Sequence, residues 1–278
     1  MKPLLLILFV LIIGLNYGAD VKGFGYFLEG DSMKKAKLEQ LSKQGTTDLF
    51  WNYYGIEIWD VSRVEPWISQ ANNYNIRVHI WCDSYNNGNW IYNSRDTIRL
   101  NRYIKAIQSY ARISGVYGIL LGEINYAGSS PEAAQGIVQT IKLIIAGVRQ
   151  VNKNCLLSVK LNPGNFNDIY YQQFYEVVSQ YFDFVVPYMF KGYVNENVST
   201  IKKIVDGYVK YSKGASVWGQ LESRYNVASR NNVCEGDLRK FIQSALDVRG
   251  KGAIIYEWET AEKVNFNALN QWNIKNLN

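Results

Sequence analysis

From Val21 onward the chain alternates short apolar runs with longer stretches whose apolar residues recur every third or fourth position. The short runs predict strands at Val21–Phe27, Asp48–Tyr53, Arg77–Cys82, within Gly115–Gly128, and at Leu156–Leu161, Phe182–Phe190, Ser216–Glu222 and Ala253–Trp258. The longer stretches predict helices near Ser32–Lys43, Val61–Tyr74, Ser94–Ile113, Pro131–Val151, Tyr170–Gln180, Val198–Tyr211, Glu235–Arg249 and Val264–Trp272. Pro131 suits the first turn of its helix, and Ser130 before it suits a cap. No Pro/Gly-rich linker divides the series. Regular β–α alternation predicts an α/β chain folded as a single (β/α)8 TIM barrel over residues 20–278. A doubly wound sheet is the alternative, but no Gly-rich phosphate loop follows the first strand.

Alternation along each strand predicts which side chains enter the barrel. In the third strand Val78, Ile80 and Cys82 face the helices, so Arg77, His79, Trp81 and Asp83 face inward, with Asp83 at the mouth. In the fifth, Ser158, Lys160 and Asn162 share the inward parity. In the seventh, Ser216, Trp218, Gln220 and Glu222 do. The fourth strand is the informative one. It is apolar from Val116 to Leu121 and then ends in Gly122, Glu123, Asn125 and Tyr126. If Leu120 and Gly122 face inward, Glu123 faces the helices unless a bulge intervenes, and a glycine before it suits a bulge.

Composition narrows the chemistry. Aromatic residues make up 14% of the chain, with 21 Tyr and 8 Trp, which suits either a sugar-lined cleft or a large aromatic core. The net charge of +6 comes from scattered Lys and Arg without a basic block, which argues against nucleic acid as a partner. His79 is the single histidine, and the three cysteines Cys82, Cys155 and Cys234 lack motif spacing. Neither a metal, a cofactor nor a disulfide framework is expected, and Cys82 and Cys155 read as buried thiols. Lys2, the apolar run Leu4–Leu15 and the small residues around Ala19 have the layout of a secretory signal over residues 1–19. A secreted or cell-surface monomer with no stable membrane span in its mature chain is expected, an uncleaved anchor being the alternative. Asn197-Val198-Ser199 is a glycosylation acceptor pattern.

Carboxylates therefore end the fourth strand (Glu123) and the seventh (Glu222). Glycoside cleavage uses two carboxyls flanking one bond, one giving a proton and the other attacking or activating water. On this reading Glu123 is the acid/base and Glu222 the nucleophile of a retaining pair. Asp83, Trp90, Asn125, Tyr126, Lys160, Tyr188 and Trp258 would hold sugar. Each has a plainer alternative. Glu222 can pair with Arg224 in a loop, Glu257 or Glu259 can replace it, and Asp83 can cap its loop. His79 reads as a core residue. Lys160 can form a salt bridge or, as in barrel aldolases, a Schiff base, although Ser158 and Asn162 predict a polar setting for it.

The strings that end several strands also resemble a known group. Val116–Gly128, Val78-His79-Ile80-Trp81, Phe184–Gly192, Val217–Leu221 and Gly252–Tyr256 are similar to strands of the glycoside hydrolase-like (β/α)8 barrel domains of secreted and surface proteins of bacteria and methanogenic archaea. The resemblance covers most of the chain after the signal. It implies a barrel that cleaves a cell-surface or envelope polysaccharide with an acid on the fourth strand. This chain departs there: Gly122 stands for the family Asp, Leu120 for His, Asn125 for Arg and Ala127 for Pro. Glu123, one residue along, either takes over the role or the barrel is a catalytically inactive glycan binder. Lysine-based carbon chemistry is the third class.

Overall fold

The computed structural model describes residues 23–30, 32–52, 61–82, 85–86, 89–90, 96–124, 131–161, 166–187, 198–222, 224–226, 231–232 and 250–256. In chain order the strands are β1 (Gly23–Glu29), β2 (Asp48–Asn52), β3 (Arg77–Cys82), β4 (Tyr85–Asn86), β5 (Asn89–Trp90), β6 (Val116–Ile124), β7 (Leu156–Leu161), β8 (Phe184–Pro187), β9 (Ser216–Glu222), β10 (Arg224–Asn226), β11 (Asn231–Asn232) and β12 (Gly252–Tyr256). Eight of them, β1, β2, β3, β6, β7, β8, β9 and β12, pair in parallel and close into one barrel with helices between strands. This is the (β/α)8 architecture that the alternation predicts. β4–β5 and β10–β11 form two small antiparallel ribbons inside stretches read from the sequence as loops. The signal segment 1–19 and the helices expected at 235–249 and 264–272 lie outside the described residues.

The helices begin and end for local reasons. Thr97–Ala111 starts at Asp96, whose carboxylate accepts the Arg99 N–H at 3.0 Å, and buries Leu100, Tyr103, Ile107 and Tyr110 at helical spacing. Ile169–Ser179 starts the same way, Asp168 accepting from Tyr170. Left-handed residues follow four of the helices before the next strand: Gly45, Asn75, Gly115 and Gly214. The single helix expected over Ser32–Lys43 is instead two, Ser32–Lys35 and Leu38–Lys43, broken at Lys37 (φ −80°, ψ 74°). Met33 and Leu38 are five residues apart, out of phase on one helix, and the break lets both be buried.

Two apolar layers result. The outer one packs strand residues such as Val78, Ile80, Leu121, Ile124, Leu157, Val159 and Val217 against the helices. The inner one fills the barrel with Phe27, Phe50, Trp81, Leu120, Phe184, Val186, Trp218 and Ile254. The inward and outward faces read from the sequence for the third, fifth and seventh strands agree with this division. Burying each large side chain contributes about 1.5–3 kcal/mol. Cys82 and Cys155 are buried and in no disulfide, and burial pushes the Cys155 thiol up to about 12, so it stays protonated.

At the amino-terminal end of the barrel, glycines make room for large groups. Asp48 accepts from Arg77 at 2.6 Å, from Thr47 at 2.6 Å and, through its other oxygen, from His79 Nε2 at 2.8 Å. A Cβ on Gly23 would lie 2.3 Å from the Asp48 carboxylate, and one on Gly118 would lie 2.4 Å from His79 Nδ1. His79 stacks on Phe50 with ring centroids 4.6 Å apart. His79 Nδ1 has no hydrogen-bond partner among the described residues. His79 thus belongs to the end of the barrel where residues serve stability.

Asp183, beside the same end, ties three strands. Its carboxylate accepts the Leu157 N–H at 2.7 Å, its own N–H donates to the Leu157 carbonyl, and its carbonyl accepts from Ser216. Burial raises its pKa, outweighing the Leu157 hydrogen bond and the Arg149 guanidinium 3.7 Å away. A raised carboxyl contributes stability while protonated and loses it as pH rises through the folded-state value. Asp183→Asn keeps the acceptor and removes the charge. Its melting temperature is expected to be no lower than wild type at pH 7, with any advantage fading as pH falls through the carboxylate range. A loss of several degrees at pH 7 would contradict this.

Candidate active site

The carboxyl-terminal ends of parallel strands converge on one face, and that face is where a barrel places chemistry. Among the described residues three glutamates hold inward register positions at that end of the strands. On β1, Glu29 shares the parity of buried Phe27 and pairs with Asn52 of β2. On β9, Glu222 shares the parity of buried Trp218 and Gln220 and lies opposite Tyr256 of β12. The third is Glu123. The sequence reading assigned Glu29 no role; the alternation Gly23, Gly25, Phe27, Glu29 is the signal that finds it.

The register of β6 answers the question its sequence leaves open. Leu121 pairs with Val159 and Ile124 with Leu161, so three steps along β6 match two along β7. Gly122 and Glu123 together occupy the place opposite Lys160. This is a bulge, and its cause is apolar demand on the outer face. Leu121 and Ile124 are both buried against the helices, and an odd spacing can satisfy both only with one extra residue between them. Without the bulge, strict alternation from Leu120 would give Glu123 the outward parity. A second irregularity lies at the other end of β6, where Val116 pairs with Val78 and Gly118 with His79. The extra residue there, Tyr117, takes the Arg77 guanidinium 4.9 Å from its ring centroid.

Beneath the rim the barrel carries a polar floor. Lys160 is fully buried, and its ammonium lies 4.6 Å from the Trp81 ring centroid and 5.2 Å from that of Phe27. Desolvated cation–π contacts of this kind contribute about 2 kcal/mol. Aromatic rings thus stand beside Lys160, in addition to the polar neighbours expected from Ser158 and Asn162, the second of which lies outside the described residues. The long stem carries the ammonium across the barrel to rings from β1 and β3, while Ser158 turns its hydroxyl to the Ile119 carbonyl at 3.4 Å. Close by, the Trp81 indole N–H and both side-chain polar atoms of buried Gln220 have no hydrogen-bond partner among the described residues. Buried polar groups normally do. Both lie on inward positions of the sequence reading, which gave them no role.

The Tyr103 hydroxyl donates to the Cys82 carbonyl at 3.1 Å and so fixes the end of β3, directly before Asp83. Asp83, Asn125, Tyr126, Tyr188 and Trp258 lie outside the described residues. Trp90 ends the second strand of the β4–β5 ribbon. Glu123 and Glu222 are placed by register. Among the described residues no group of three or more His, Cys, Asp or Glu could hold a metal ion, and no helix is long and apolar enough to cross a membrane.

No protein-family model and no curated protein matches the sequence. Solved structures do resemble the fold. An endo-β-1,4-mannanase from Thermotoga petrophila is 14% identical, with a TM-score of 0.66 over 86% of this chain and 68% of that one. A GH18 chitinase from Cycas revoluta, in complex with (GlcNAc)4, is 10% identical, with a TM-score of 0.65 over 92% and 99% of the two chains. A chitinase from Bacteroides thetaiotaomicron is 12% identical, with a TM-score of 0.65 over 90% and 96%. These neighbours are glycan-cleaving barrels, and at such identities the likeness shows the fold alone.

Proposed function

We propose that this chain is a secreted or cell-surface glycoside hydrolase that cleaves an envelope polysaccharide with Glu123 and Glu222. The observation that carries the reading is the bulge in β6. It gives the last polar residue of that strand an inward register place at the mouth, in the same barrel whose β9 ends in Glu222. A carboxyl on each side of a glycosidic bond supplies both halves of the reaction. One protonates the leaving oxygen, and the other attacks the anomeric carbon or activates water. A carboxyl separation near 5 Å supports retention through a glycosyl-enzyme, and about 6.5–9.5 Å supports inversion. Asp83, Trp90, Asn125, Tyr126, Tyr188 and Trp258 are proposed to line the sugar cleft, with the Trp81 indole and the Gln220 amide as donors at its floor.

The test uses the names of the fold neighbours as first probes. Mannan, xylan, chitin and a purified cell-envelope polysaccharide are each incubated with the full chain, and new reducing ends and bound polysaccharide are measured together. Release from at least one, with product growing linearly in enzyme, is expected. Binding without release on every probe would replace the hydrolase with a glycan-binding barrel.

The compartment has its own test. The apolar run Leu4–Leu15 motivates cleavage near Ala19, so the exported chain is expected to start near Asp20, its net charge falling from +6 to +5 with the loss of Lys2. Intact-mass measurement of the exported protein checks it, and a retained Met1–Ala19 would indicate an anchor.

A further inference from the structure

Two neighbouring helices turn an almost uncharged face to solvent. In Pro131–Val151, which follows β6, Gln135, Gln139, Leu143 and Ala146 recur at helical spacing and are exposed, while Ile137, Ile141 and Ile144 are buried. In Ile169–Ser179, which follows β7 and packs beside it, Tyr170, Gln173 and Val177 are exposed opposite buried Tyr171, Phe174 and Val178. Leu143 is 55% exposed, Ile169 54%, Tyr170 56% and Val177 39%, four of the six large apolar side chains that are exposed among the described residues. Other helices differ: Thr97–Ala111 exposes Arg102 and Lys105, and Val198–Tyr211 exposes Lys203, Asp206 and Lys210. Among the described exposed positions of the two uncharged helices the one charge is Lys142, whose ammonium lies 5.4 Å from the Tyr181 ring centroid. We propose that this face is where a second copy of the chain docks, forming a two-fold dimer.

Charge selects a copy of the chain as the occupant. A two-fold interface sets one patch against itself, so any charge near the axis meets its own sign. A chain of net charge +6 therefore pairs with itself best across a face where charges are few. The amides of Gln135, Gln139 and Gln173 suit this arrangement, because a primary amide both donates and accepts and can bond its own kind across the axis. A strongly charged partner would find little here to attract it. Size agrees. The helices have 21 and 11 residues, so they run about 31 and 16 Å, and at about 10 Å wide they offer about 500 Å². That is below the roughly 800 Å² per partner of a standard interface, so the dimer is weak and depends on concentration. Both helices run down the outside of the barrel from the carboxyl-terminal ends of β6 and β7, so pairing there leaves the mouth open. The proposal departs from the monomer expected from the sequence, and it stands whether or not the barrel cleaves glycan.

Sedimentation equilibrium of the full chain tests this. The weight-average mass is expected to rise with concentration from one chain toward two, with a dissociation constant in the micromolar range. Leu143→Lys combined with Val177→Lys sets like charges against each other and should weaken association by at least about tenfold. Leu143→Glu combined with Val177→Glu should do the same on its own. An equimolar mixture of the two double variants should pair again, because opposite signs then face each other across the interface. Both positions are exposed, so circular dichroism should show both variants folded. A wild type that stays monomeric far above micromolar concentration, a dimer unmoved by either double variant, or a mixture that stays monomeric overturns the proposal. A monomer that is retained on a polysaccharide, with retention lost in Tyr170→Ala, would make the face a glycan platform and overturns it as well.

Discussion

Asp48→Ala is expected to lower the melting temperature by about 10 °C, the largest stability loss of any polar substitution at the foot of the barrel. Asp48 is fully buried and accepts from three donors, two of them cationic or potentially so. Removing one partner of a buried pair costs about 3–5 kcal/mol, because the surviving groups stay desolvated without compensation. The low end applies here, since Arg77 is 27% exposed along its side chain and can recover water, whereas His79 cannot. For a chain of this size each kcal/mol moves the midpoint by about 2–4 °C. Asp48→Asn, which keeps an acceptor for one donor, should fall between wild type and Asp48→Ala. Thermal unfolding by circular dichroism checks both, and a shift under 2 °C for Asp48→Ala would mean that the network at the barrel foot is dispensable.

Glu123→Gln and Glu222→Gln are each expected to slow hydrolysis by about 100-fold or more while leaving polysaccharide binding nearly unchanged. The amide keeps the shape of the carboxyl and removes only its ability to give, take or hold a charge, and general acid–base help alone is typically worth that factor. The two variants should separate on a substrate with an activated aryl leaving group. Such a group departs with little protonation, so the variant lacking the acid recovers and the variant lacking the nucleophile does not. If Glu123 is the acid/base and Glu222 the nucleophile, Glu123→Gln is the one that recovers. Recovery by Glu222→Gln instead would exchange the two roles. If both variants hydrolyse at the wild-type rate, the catalytic pair is elsewhere on the rim, and Glu29 is the next carboxyl to replace.

Much of the barrel was legible in the chain because it depends on local period. Strands such as Arg77–Cys82, Leu156–Leu161 and Ser216–Glu222 and the helix Val198–Tyr211 have in the structure the limits their residues predict. In those strands strict alternation also separated His79, Trp81, Ser158, Lys160 and Trp218 from the outer layer. A period is a property of one segment, so one segment is enough to read it.

What needed the tertiary structure involves two or more segments at once. The sequence of β6 permits a bulge at Gly122. Only the pairing of Leu121 with Val159 and of Ile124 with Leu161 requires one, since the count of residues on the neighbouring strand decides the register. Asp48 and His79 are 31 positions apart, and nothing in either stretch announces their 2.8 Å contact. Lys160 could be read only by its strand neighbours, and its flexible stem delivers the ammonium to rings on β1 and β3 that no local pattern indicates. By itself the sequence determined the order of the barrel strands and the face that residues of the third, fifth and seventh of them take, because these follow from backbone geometry. The tertiary structure decided the register between strands and the surroundings of each buried charge, because these follow from which chains of atoms become neighbours when the barrel closes.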